Sequence, residues 1–245
     1  MREALGFLTS LGGSRQATPG ALAWFGPVGA LLGLALGGLW WGAAQLWPRP
    51  VAAAVVVAAD LGLTGLLHLD GLVDSADGLL PHLSTERRLA VMREPDAGAF
   101  GVGVAVATLL VRWSALASLR PAPLLIAALW CVSRAAMAVT AARVRYARVD
   151  GGIVSSFRPA ASDPGTTRRA PPPWWLFVAM LGGSLALAAR WSMPGGPVSV
   201  LAGTIAFGAV VWLALRRIGG FTGDVLGAAG LVAESVGLLA AAARW

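Results

Sequence analysis

The chain has 245 residues, 57% of them hydrophobic and only 13% charged, with a mean hydropathy of +0.71. A soluble domain carries roughly 45–50% apolar and about 25% charged residues, so this composition excludes one and predicts an all-α, polytopic membrane helix bundle. The net charge of +7 comes from 19 basic residues, all arginine, spread between apolar runs rather than massed in a patch, which excludes nucleic-acid binding as their purpose.

Residues 1–20 open with Arg2 and a broken apolar patch, Leu5 to Leu11, too short for a secretory core and read as an amphipathic lead-in at the membrane surface. The first predicted span, Ala21–Trp47, ends in an interfacial aromatic cluster of Trp40, Trp41 and Trp47. After the Pro48-Arg49-Pro50 turn, the second span, Val51–Leu69, returns the chain; both runs are near the ~20 apolar residues a crossing needs. A polar segment follows from Asp70 to Gly98, with a helix start at Ser84-Thr85-Glu86-Arg87. Ala99–Leu119 and Leu124–Ala142 are the third and fourth spans. The polar stretch 143–173 closes in a Pro/Arg/Thr-rich segment whose composition predicts mobility. Trp174–Trp191 and Val198–Leu215 are the fifth and sixth spans, and Val225–Ala243 is the seventh, after a glycine-rich loop. The single Cys131 lies in an apolar run, cannot form an internal disulfide, and reads as a small buried residue.

Seven crossings put the amino terminus, 70–98, 143–173 and 216–224 on one side of the membrane. That side holds 13 arginines and the other holds four. The bias identifies the richer side as cytoplasmic, so the polar motifs of one integral-membrane domain, 1–245, are expected to share a site on that face.

The strongest motif is His68-Leu69-Asp70-Gly71-Leu72-Val73-Asp74-Ser75-Ala76-Asp77-Gly78. On a helix Asp70, Asp74 and Asp77 stand at i, i+4 and i+7 and share one stripe. Three like charges so close call for Mg²⁺, with its preference for oxygen ligands and substrate phosphates, or for arginines. Gly71 and Gly78 would let an anionic substrate approach the backbone. The alternative is a solvated helix start whose acids favour the helix dipole. His68 reads as a general base or as a hydrogen-bonding group at the interface.

Arg143, Arg145 and Arg148, with Tyr146, form a second cluster that either clamps a pyrophosphate or anchors the chain at the headgroups. Gly219-Gly220-Phe221-Thr222-Gly223-Asp224 opens the last helix, where free backbone N–H groups suit an anion; Asp224 either binds metal or caps the helix. Asp60, Arg112, Arg134 and Glu234 lie within apolar runs, where charges face the bundle interior and pair. If the second span continues unbroken into the motif, Asp60 falls about 40° from Asp74 and extends the acidic stripe inward.

These residues resemble the cobalamin synthase (adenosylcobinamide-GDP ribazoletransferase) family. The resemblance is carried by residues 68–78, by Glu86-Arg87-Arg88-Leu89, Met92-Arg93-Glu94 and Gly98-Ala99-Phe100-Gly101, and by 219–228 with Glu234; 23–29 and 145–148 are also similar. The chain departs from the family pattern at Glu94, where Asp is usual, and at Asp96, where Arg is common. The resemblance implies a multi-pass transferase of the bacterial cytoplasmic (inner) membrane that joins adenosylcobinamide-GDP to α-ribazole or its 5′-phosphate and releases GMP with Mg²⁺. On that reading Asp70, Asp74 and Asp77 hold the metal, and Asp77 or Asp224 receives the proton. His68, Arg93, Arg145, Arg148, Gly220, Thr222 and Gly223 contact the phosphates, while Asp60, Arg134 and Glu234 support the site from within the membrane. Self-association is left open. Two other readings compete: a CDP-alcohol phosphotransferase-like lipid enzyme, which also spaces aspartates regularly in a bundle, and a transporter with Asp60, Arg112, Arg134 and Glu234 on an ion path.

Overall fold

The computed structural model describes residues 1–10, 18–148 and 174–245. The described chain runs through α1 (Arg2–Leu8), a 3₁₀ turn (Pro19–Trp24), α2 (Phe25–Leu46), α3 (Arg49–Leu63), α4 (Leu67–Leu79) and α5 (Thr85–Val91). It continues through α6 (Ala99–Ser118), α7 (Pro123–Arg143), α8 (Trp174–Trp191), α9 (Gly195–Ile218) and α10 (Gly223–Ala241). The expected mobile end of the 143–173 segment falls on 149–173, outside the described residues.

Six stretches are long and apolar enough to cross a membrane: Pro19–Leu46, α6, α7, α8, α9 and α10. The expected second span is different. The α3 and α4 helices pass the same test only as a pair, and they are bent by 86°. The break has a local cause. Thr64 ends α3, its N–H and its Oγ1 both donating to the Asp60 carbonyl, at 3.0 and 2.8 Å. Gly65 and Leu66 then take left-handed φ values of 57° and 62°. Such a φ is unfavourable for leucine, and the amino terminus holds it in place. The Ser10 N–H donates to the Leu63 carbonyl at 2.8 Å, and Ser10 Oγ donates to Gly62 O at 3.0 Å. The lead-in helix α1 is therefore docked on the bundle, with Ala4 and Leu8 buried, and not merely laid on the membrane surface.

The break overturns one expectation outright. Asp60 does not extend the acidic stripe, because α3 and α4 are separate helices. It accepts from Trp130 Nε1 at 3.2 Å and pairs with Arg112 Nη2 at 3.0 Å. The same Arg112 nitrogen reaches Glu234 Oε2 at 2.8 Å, and Arg134 pairs with Glu234 Oε1. Ser133 Oγ donates to that Glu234 oxygen at 2.8 Å. Two arginines and two carboxylates thus balance in charge while tying α3, α6, α7 and α10 together, as charges within a membrane must. The sequence-derived pairing of these residues is what the structure contains.

Around this network α7 and α10 form the inner layer and α8 an outer one, as their burial shows. In lipid, helices gain little from apolar burial alone, so close backbone approach by small residues carries the packing. On α2, Gly26, Gly29, Gly33 and Gly37 recur at intervals of three and four and face α7 or its neighbour α8. A Cβ on Gly33 would lie 2.7 Å from the Ala127 Cα.

Candidate active site

The α4 helix has 13 residues, about 20 Å of length against a hydrocarbon core of ~30 Å. It lies across one end of the bundle, against the starts of α6 and α10, and does not itself span. Gly71 sets its contact with α10: a Cβ there would stand 2.7 Å from the Asp224 carbonyl oxygen. Gly78 does the same for the segment after α5, with Met92 Cγ 2.3 Å from its Cβ position. Both glycines serve helix contact, which corrects the expectation that they admit substrate.

That contact gathers carboxylates. Asp70 is exposed and Asp74 half-buried on α4, with Asp224 in the first turn of α10. Burial, then the Asp224 and Asp70 carboxylates, push the Asp74 carboxyl up to about 7, with Arg148 only partly offsetting them and Asp77 adding to them. So the acids repel one another with too little positive charge nearby. Arg148 Nη2 donates to Asp224 Oδ2 at 2.7 Å and to the Met92 carbonyl at 3.2 Å. Thr222 Oγ1 donates to the same Asp224 oxygen at 3.2 Å. Oδ2 is thereby committed, whereas Oδ1 has no hydrogen-bond partner among the described residues.

Asp77 has a different occupation. Its Oδ2 accepts the Gly98 N–H at 2.7 Å and its Oδ1 accepts the Gly101 N–H at 2.9 Å. These are orphan donors at the start of α6, so Asp77 caps that helix from α4. Gly98 and Gly101 are glycines for this reason: a Cβ on either would lie 2.5 or 2.4 Å from the carboxylate. With both oxygens engaged and the residue 8% exposed, Asp77 is poorly placed for the metal and proton roles expected of it.

The glycine-rich loop also divides its work. Gly219 closes α9 with a left-handed φ of 70°. Gly220 lets residues 145–147 approach, its Cβ position being 2.5 Å from the Arg145 carbonyl. Phe221 bonds to both ends of that segment: its N–H donates to the Arg145 carbonyl and its carbonyl accepts the Ala147 N–H, both at 2.9 Å. This close packing is reason enough for a glycine at 220. Thr222, not Asp224, is the cap of α10, its Oγ1 accepting the Val225 N–H at 3.3 Å. Among the described residues the first-turn N–H groups of Gly223 and Asp224 have no acceptor and so can receive an anion. Arg93 and Arg145 stand exposed on the same end. His68 is buried away from them, against Gly227, and lines a cavity with Phe7, Phe25, Met137 and Asp224.

Sequence reasoning missed three contributors. Arg88, 3% exposed, donates from Nη1 to the Gly78 and Leu79 carbonyls at 2.9 and 2.8 Å and so closes the end of α4. Phe7 and Met137 looked like ordinary apolar residues. Only Arg88 carried a signal, as a charge within the conspicuous Glu86-Arg87-Arg88 run.

The donor set fits Mg²⁺ in one way only. Among the described residues no three His, Cys, Asp or Glu side chains converge closely enough to enclose an ion. Mg²⁺, however, commonly takes one or two carboxylates and completes its shell with water and substrate phosphates. Asp70 and Asp74, hard oxygen donors beside an underneutralised cluster, suit that arrangement.

Comparison with known proteins covers nearly the whole chain. A sequence profile described as cobalamin-5-phosphate synthase matches residues 1–242. The chain belongs to that family. It is 36% identical to the adenosylcobinamide-GDP ribazoletransferase of Chlorobaculum tepidum, over 97% of this chain and 93% of the relative. It is 36% identical to the enzyme of the same name from Bradyrhizobium diazoefficiens, over 99% and 93%, and 33% identical to that of Chlorobaculum parvum, over 92% and 86%. No solved structure matches the chain. Family membership across the whole length removes the lipid phosphotransferase and transporter readings.

Proposed function

We propose that the chain joins adenosylcobinamide-GDP to α-ribazole, or to its 5′-phosphate, at the cytoplasmic face of a bacterial inner membrane. One bond forms, between a ribose hydroxyl oxygen of the acceptor and the phosphorus next to the cobinamide. One bond breaks, between that phosphorus and the oxygen bridging to the guanosine phosphate. GMP leaves with the electron pair on that oxygen, and the hydroxyl proton passes to a carboxylate. The observation that carries the reading is the gathering of Asp70, Asp74 and Asp224, in a chain of this family, where α4 crosses the start of α10.

The protein's own groups divide the task. Asp224 is the proposed base: Arg148 and Thr222 fix its Oδ2 and leave Oδ1 to take the proton. Arg148 Nε is buried with no hydrogen-bond partner among the described residues, a donor suited to a phosphate oxygen. Arg93 and Arg145 supply positive charge from the exposed side, and the N–H groups opening α10 receive an anionic oxygen. Bound Mg²⁺, held by Asp70 and Asp74, would neutralise charge on the pyrophosphate and its leaving group.

The test is GMP release by purified, detergent-solubilised protein given both substrates and Mg²⁺, with and without EDTA. Release that requires acceptor and metal is expected. No release from folded protein overturns the reaction, and release undiminished by EDTA overturns the metal.

A further inference from the structure

The cavity beside Asp224 meets the phosphate chemistry above at that carboxylate and at Gly223, and its other lining residues have no part in it. It has about 70 Å³ of space, room for several water molecules and hence for part of a planar ring. Its lining is aromatic and soft: Phe7 and Phe25 stack with ring centroids 5.5 Å apart, and Met137 and Leu226 face the same space. Among the described residues no arginine lines it, so they do not suit it to a phosphate. Its two side chains of polar character are Asp224 and His68. His68 is 5% exposed, and its ring makes no hydrogen bond with the described residues. An apolar pocket with few, well-placed polar groups is the usual form of a small-molecule site.

We propose that this cavity seats the apolar, fused aromatic base of the acceptor nucleoside. The base lies against Phe7, Phe25 and Met137 with a ring nitrogen toward His68, and the attached ribose reaches Asp224. The inference rests on the transferase reading and assigns the acceptor's half of that site. It also gives the amino-terminal helix a purpose in binding. Phe7 stands on α1, which is fastened by Ser10 to the end of α3 and by Glu3, whose Oε2 accepts the Thr18 N–H at 2.9 Å and the Thr18 Oγ1 at 2.7 Å. Aromatic and methionine surfaces both favour ring faces or edges over aliphatic chains of equal area.

Two measurements on the full-length protein in detergent test this. The first is the KM for α-ribazole and for adenosylcobinamide-GDP in wild type, Phe7→Ala and Phe7→Tyr. Phe7→Ala is expected to raise the acceptor KM about tenfold, leave the donor KM in place, and be rescued by Phe7→Tyr. The second is equilibrium binding of 5,6-dimethylbenzimidazole without donor or metal, expected to weaken by a similar factor in Phe7→Ala. This second readout needs no turnover. Acceptor KM and base affinity unchanged in Phe7→Ala, with GMP still released, overturn the pocket assignment and leave the transferase reading standing. An equal rise in both KM values also overturns it. Failure of wild type to release GMP strikes the transferase reading instead, and the binding measurement still decides whether the cavity takes the base.

Discussion

Asp74 and Asp77 stand three residues apart on α4, yet their surroundings give them opposite energetics. Asp77 satisfies two backbone donors at the start of α6, so it stabilises the fold. Burial, and then the neighbouring carboxylates, raise Asp74 to about 7 from an ordinary 3.8. A carboxyl raised in the folded state contributes stability that is present below its unfolded pKa and lost as pH rises through the folded one, here between about 4 and about 7. At neutral pH without metal, Asp74 therefore destabilises. Asp74→Asn should raise the melting temperature of metal-free protein at pH 7.5 and erase the additional rise that Mg²⁺ gives wild type. It should also lower turnover by more than the roughly 100-fold that loss of an outer-shell group costs. Asp77→Ala should instead cost about 2 kcal/mol of stability through the lost cap. Gly101→Ala should be comparably harmful, because its Cβ collides with the same carboxylate. Thermal melts beside GMP-release assays separate the two residues; a lower melting temperature in Asp74→Asn would contradict the charge argument.

At the scale of elements, the buried network makes Glu234 the joint between α6, α7 and α10. Glu234→Gln leaves Arg112 with Asp60 but Arg134 with only a neutral amide, and breaking a buried pair typically costs about 3–5 kcal/mol. The expected result is a large loss of folded protein on detergent extraction, partly recovered when Arg134→Met is added, since that removes a stranded charge. A double variant no better than the single one would show the arginine to be paired elsewhere. That these four charges pair was legible in the sequence, because a charge in an apolar run has few alternatives. Which acid meets which arginine was not, since it depends on helix rotation. The break before α4 was hidden for a related reason: Leu63-Thr64-Gly65-Leu66-Leu67 is apolar enough to read as span, and hydropathy does not register a left-handed φ. The stripe of Asp70, Asp74 and Asp77 was visible as spacing, but the cap role of Asp77 depends on Gly98 and Gly101, more than 20 residues downstream.

Across the whole molecule, the polar elements collect at one end. The α4 helix, the Arg145–Arg148 loop, the Gly219–Asp224 loop and the start of α6 all meet there. The spans return the chain to that end each time a functional segment is needed, and the arginine bias supports its being the cytoplasmic one. Substrates of this charge cannot cross the bilayer unaided, so the side matters for function. Asp96 and Arg120 are exposed at the two ends of the α6 span. In a Cys131→Ser background, Asp96→Cys should react with a membrane-impermeant maleimide only in inverted vesicles, and Arg120→Cys only in right-side-out spheroplasts. The reverse pattern would put the acidic cluster outside the cell and remove the proposed reaction from its nucleotide pool. Reaction of Asp96→Cys from both sides would instead make α3 and α4 a re-entrant pair lining an open path. In that event an impermeant anionic substrate analogue added to right-side-out spheroplasts should inhibit GMP release, whereas a closed cytoplasmic site would ignore it.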